Sequence, residues 1–101
     1  MMKSLDITTF GARIGQVFRL TVDETTAIAT RLIAVTPAPA GWGGPGAAGR
    51  VPFSLVFQAP PSTELPQRIY QLQHDELGML DLFLVPIGRD TDGMCYEAVF
   101  S

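Results

Sequence analysis

Few residues in this chain could do chemistry. His74-Asp75-Glu76 sets the single histidine beside two carboxylates. A His with neighbouring acids can serve acid–base catalysis or hold a metal. A metal, however, needs three or four donors converging from different backbone positions. Three successive residues at a strand end point in divergent directions, and the single cysteine, Cys95, falls on another strand. These residues therefore read as a solvated polar turn with a His at its edge. Asp90-Thr91-Asp92-Gly93 resembles the start of a calcium loop, but the position that should carry a bidentate Glu is Ser101. Asp92-Gly93 is sufficient as hairpin turn chemistry.

Cys95 could act as a nucleophile with His74 as base. Reactive thiols sit at helix N-termini or strained turns, whereas Cys95 lies within a predicted strand beside Met94 and Tyr96. It reads as a buried structural thiol. Ser54, in Pro-Phe-Ser-Leu-Val, has no Gly-x-Ser-x-Gly elbow. The run Gly41-Trp42-Gly43-Gly44-Pro45-Gly46 lacks the Gly-Lys-Ser/Thr of a phosphate loop and has no helix after it. Trp42 either folds back over the core or is offered to a partner, since Trp is enriched at interface hot spots.

The elements that must position these residues are mostly strands. Residues 6–15 predict a short helix, with Asp6 as N-cap, an apolar stripe of Ile7, Phe10 and Ile14, and Gly15 as a left-handed cap. Strand one spans 16–22, with Phe18, Leu20 and Val22 facing one way. Strand two spans 27–35, with Ile28, Leu32 and Ala34 on one face, and a polar turn joins the two as a hairpin. Residues 36–51 form a Gly/Pro loop. Such long connections in a compact domain are usually functional or mobile.

Four more strands follow, at 53–58, 67–74, 79–87 and 94–100. Strand five is apolar on both faces: Leu80, Leu82 and Leu84 on one, Phe83, Val85 and Ile87 on the other. Both faces then require cover, by the helix, a central position or a partner. The expected fold is mainly β: a small antiparallel six-stranded barrel or sandwich, with one short N-terminal helix plugging an end.

Length and composition bound the rest. A chain of 101 residues, 47% hydrophobic, makes one domain over residues 1–101, with a shallow core that a partner could complete. The net charge of −3, with arginines scattered singly, gives no footprint for nucleic acid. A single cysteine forms no internal disulfide and suits a reducing compartment. The N-terminal residues do not form a secretory signal, so the expectation is a cytoplasmic chain, compatible with assembly on an extracellular or phage-like particle. No apolar run is long enough for a membrane helix, and six short strands fall below the smallest membrane barrels, so membrane insertion is not expected.

A family resemblance covers nearly all of the chain outside the Gly/Pro loop. It is carried by Pro52 through Phe57, Leu65-Pro66-Gln67, Ile69-Tyr70, Leu77-Gly78, Asp81 through Gly88, and Met94 with Tyr96 through Phe100. The N-terminal pattern of Phe10, Gly15 and Phe18 fits as well. Together these residues resemble a family of small bacterial proteins of unknown function whose members are often encoded beside phage-tail-collar-like proteins. Cys95 stands where other members carry a different, often basic, residue. The resemblance brings no catalytic residues. It implies an assembly or accessory role with fibre-like, phage-derived proteins.

The expectation is therefore a non-enzymatic structural or accessory interaction protein without cofactor or metal. Its partner would be another copy or a phage-tail-like fibre or collar protein, paired through an exposed edge at strand one or strand six. Candidate interaction residues are Trp42, Arg50, Arg68, Arg89 and Phe100. The alternative is a small-ligand or glycan binding module in which Trp42, Tyr70 and Arg68 line an open barrel mouth. An enzyme would need Cys95, His74 and a carboxylate within hydrogen-bond reach.

Overall fold

A computed structural model of the protein describes residues 6–37 and 52–100. One helix, α1 (Ile7–Gly11), precedes six strands: β1 (Val17–Thr21), β2 (Ala27–Pro37), β3 (Phe53–Ala59), β4 (Arg68–His74), β5 (Gly78–Arg89) and β6 (Met94–Phe100). The strands close into an antiparallel barrel in the order β1-β2-β3-β6-β5-β4, with β4 pairing back to β1. This decides between barrel and sandwich. It also removes the expected free edges, because β1 is paired to β2 and β4 and β6 to β3 and β5.

Period-two patterning fills the interior. Phe18 and Leu20, Leu55 and Phe57, Tyr70 and Leu72, and Tyr96 and Ala98 all point inward and are buried. Phe18 meets Phe57 edge to face at 5.2 Å. Each such Phe or Leu contributes roughly 1.5–3 kcal/mol of burial, and the described inward side chains form one buried core cluster inside the barrel. Bulges adjust the closure. One lies between Leu32 and Ala34 on β2, another between Pro86 and Gly88 on β5. Gly88 has φ +127°, a backbone conformation that L side chains adopt only with strain, although a Cβ there would meet open space.

One end is closed by α1. Asp6 caps the helix by accepting the Thr9 amide at 2.9 Å. Phe10 is fully buried and packs on Phe53 and Phe100, whose rings stack at 4.8 Å. The chain after the helix is tied to β2 by the Gly15 amide to the Leu32 carbonyl at 2.7 Å and the Leu32 amide to the Gln16 carbonyl at 3.1 Å.

The other end is crossed by the connection from β3 to β4, residues 60–67. In the barrel order these strands lie opposite one another, so their connection must span the mouth. Tyr70 donates its hydroxyl hydrogen to the Pro66 carbonyl at 2.6 Å, and the Leu65 amide donates to the Tyr96 hydroxyl at 3.0 Å. Arg89 donates to the Pro61 and Thr63 carbonyls at 3.1 and 3.4 Å and pairs with Glu64 at 3.3 Å.

Several expectations are corrected. The helix ends at Gly11 with Ala12 as its cap, and Ile14 is half exposed, because the Arg13 and Gln16 amides turn back to the Phe10 and Arg13 carbonyls. Gly15 does adopt positive φ, but beyond that turn and not as the helix cap. The bulge on β2 puts Val35, not Ala34, against the core, as Val35 pairs with buried Leu55. β2 continues through Pro37, so the connection begins later than residue 36. The outer face of β5 is uncovered: Phe83 and Ile87 are each 51% exposed.

Candidate interaction surface

The polar residues with chemical potential are engaged in holding turns. His74 is 5% exposed, and so is not at a solvated edge. Its Nδ1 accepts the Glu76 and Leu77 amides at 3.0 and 3.3 Å. That requires the proton on Nε2, which donates to Gln16 Oε1 at 2.7 Å. Its ring lies 4.5 Å from that of Phe18. Arg13, also buried, donates to the Thr9 carbonyl at 2.7 Å and meets Glu76 at 3.5 Å. The polar layer therefore locks the β4–β5 turn to the segment after α1.

Asp90 performs a similar task at the far end. Its Oδ1 accepts the Asp92 and Gly93 amides at 2.9 and 2.8 Å, and the Gln58 amide nitrogen donates to it as well. The Asp92 amide chiefly holds this carboxyl below the usual range. Cys95 lies 3.5 Å from Asp90 Oδ2. Burial, with the adjacent carboxylate adding to it, pushes the thiol up, the reverse of nucleophile activation. His74 pairs with Gly78 and Cys95 with Gly88. Along β5 these positions are roughly 30 Å apart at about 3.3 Å per residue, far beyond proton transfer. No group of three or more His, Cys, Asp or Glu among the described residues is arranged to hold a metal.

The named interaction candidates separate. Trp42 and Arg50 lie outside the described residues. Phe100 belongs to the plug around Phe10. Arg89 straps residues 60–67. Arg68 lies over the Tyr70 ring, 4.9 Å from its centre, and is exposed beside the closed mouth. The proposed ligand mouth is thus occupied by the chain itself. A shallow outer groove of ≈ 240 Å³ runs past Val17, Thr30, Arg31, Gln58, Pro60 and Asp92, open to solvent, and the hydroxyl of its one buried polar residue, Thr30, donates to the Phe18 carbonyl at 2.8 Å.

The surface that stands out is the outer side of β4, β5 and β6. Ile69 (65% exposed) pairs directly with Phe83, and Val99 (48% exposed) faces outward from β6. Phe83 and Val99 each lie two residues beyond the Val85–Glu97 pair, on adjacent strands. An apolar row thus crosses three strands in water, the kind of patch that marks an interaction site. Residue reasoning reached Phe83 through the two-faced pattern of β5. It missed Ile69 and Val99, whose outward row exists only once the strand order is known.

The class that the fold defines is a closed six-stranded antiparallel barrel with one short helix near its N-terminus. Residues 5–100 match the family described as Domain of unknown function (DUF6916), and the chain belongs to it. No curated protein and no solved structure matches the chain. No helix among the described residues is long and apolar enough to cross a membrane.

Proposed function

We propose that this protein is a non-enzymatic structural or accessory component that associates with itself or with a phage-tail-like fibre or collar protein of bacterial origin. The Ile69, Phe83 and Val99 side chains carry this reading, because among the described residues every strand is paired on both sides in the ring and contact falls to outer side chains. Its support from chemistry is that Cys95, in contact with Asp90, lies far along the barrel from His74, and that His74 and Asp90 are each engaged in holding a turn. The test is light scattering at micromolar concentration, together with co-purification with a tail-collar-like protein, for the wild type and Phe83→Asp. Association that Phe83→Asp abolishes, in a variant that retains its far-UV spectrum, is the expected result. A monomer that also leaves the collar-like protein unbound overturns the proposal.

A further inference from the structure

The row on β4–β6 is not uniformly apolar, and its exceptions specify a partner. On the neighbouring row Glu97 pairs with Val85 on one side and Val56 on the other, and its side is half buried. Asp81, exposed and opposite Gln71, flanks Phe83 from the other direction along β5. Among the described residues no hydrogen bond or ion pair holds either carboxylate. Arg68, the nearest cation on β4, belongs to the mouth and lies over Tyr70. Arg19 faces outward on β1, but it pairs with Gln73, on the row of Met79, two rows from Phe83.

An apolar surface laid over this face would strip water from Glu97. An uncompensated carboxylate in that setting is strongly unfavourable, so the covering chain must bring a positive charge. A second copy meets this poorly. Face-to-face contact puts Glu97 and Asp81 of both copies into one layer, and the outward residues of the patch supply no base. Backbone pairing is also closed off, since the described strands flanking the patch are already in the ring.

We infer that this face takes a polypeptide segment of another protein, presenting aliphatic or aromatic side chains next to Lys or Arg, with one cation meeting Glu97 and a second placed near Asp81 on the other side of Phe83. The inference rests on the accessory-protein reading and names the chemistry of the partner. Electrostatic matching of this kind sets selectivity and salt dependence more than total affinity.

The test is selection from a displayed library of random peptides against the folded protein, followed by affinity and NMR mapping on the wild type, Glu97→Gln and Phe83→Asp. Glu97→Gln keeps the side-chain shape, so folding is not at stake. Selected sequences should combine apolar residues with Lys or Arg, shift the Ile69, Phe83 and Val99 signals, and bind about tenfold more weakly to Glu97→Gln. Binders on this face that lack a base, or that ignore Glu97→Gln and Asp81→Asn, overturn the inference. So does self-association through this face with no peptide selected, which makes a second copy the occupant. Binding confined to other surfaces, while the collar-like protein still co-purifies, refutes the partner chemistry and leaves the accessory role standing. No peptide and no association of any kind removes both.

Discussion

The two ends of the barrel are closed by different physics. At the α1 end, aromatic rings from three separate segments, Phe10, Phe53 and Phe100, pack together, with Phe10 fully buried. At the opposite end, a proline-rich connection is held across the mouth by hydrogen bonds that Tyr70 and Arg89 donate and that the Tyr96 hydroxyl accepts. Ring packing stabilises through area and fit, both lost together when a side chain is truncated. Hydrogen bonds in a partly wet strap each contribute about 1 kcal/mol net. The α1 plug therefore concentrates its stabilisation in one residue, and the strap distributes it over several.

The comparison is tested most severely at Phe10. Phe10→Ala should cost about 3–5 kcal/mol in urea unfolding, the range for a buried Phe that leaves a cavity. A loss under about 1 kcal/mol would show that the plug is no more concentrated than the strap. The next effect comes from the far end, at Gly93. A Cβ there would lie 2.0 Å from the Ala59 carbonyl oxygen, which is backbone and cannot rotate away. Gly93→Ala should cost about 1–3 kcal/mol through a shift of the β5–β6 turn. Amide exchange should quicken around Asp90 and Ala59 while the amide of Phe10 stays protected. Equal loosening of both ends would mean that they unfold as a unit.

The smallest effect is at high pH. Burial pushes Cys95 above its ordinary 9.0 and Tyr70 above 10.0, the latter partly opposed by Arg68. An acid raised in the folded state contributes fully below its unfolded value, and that contribution is lost as pH rises through the raised one. Both groups sit toward the strapped end, so the urea midpoint should hold up to about pH 9 and decline above it. Cys95→Ala should flatten the first part of the decline. A decline unchanged in Cys95→Ala would assign the titration to other groups.

These contrasts also explain what could be read from the chain alone. Alternation at Phe18 and Leu20, or at Leu80, Leu82 and Leu84, is a local property and survives into the barrel. The capping Asp6 and the hairpin turn at Asp90 are local as well. The bulge after Leu32 is not, because it shows only in the pairing of β2 with β3 and no nearby residue signals it. The strap is equally hidden: Leu65 and Tyr96 are 31 positions apart, and neither predicts the other. His74 looked solvated because Asp75 and Glu76 follow it, yet its ring acts as an acceptor inside the turn they form. The exposed apolar face was half legible. Phe83 broke the expected polar side of a strand, whereas Ile69, Val99 and Glu97 become its neighbours only through the order β6-β5-β4.

Ring closure carries an evolutionary consequence. A sheet with an open edge recruits partners through backbone groups that every sequence shares, so its selectivity is tied to strand formation itself. If this protein binds a partner as proposed, recognition here would rest on outward side chains such as Ile69, Asp81, Phe83, Glu97 and Val99, while their inward neighbours maintain the fold. Partner choice can then drift by surface substitution with little change in stability. One scaffold can be re-addressed to new binding proteins while its core sequence stays constant.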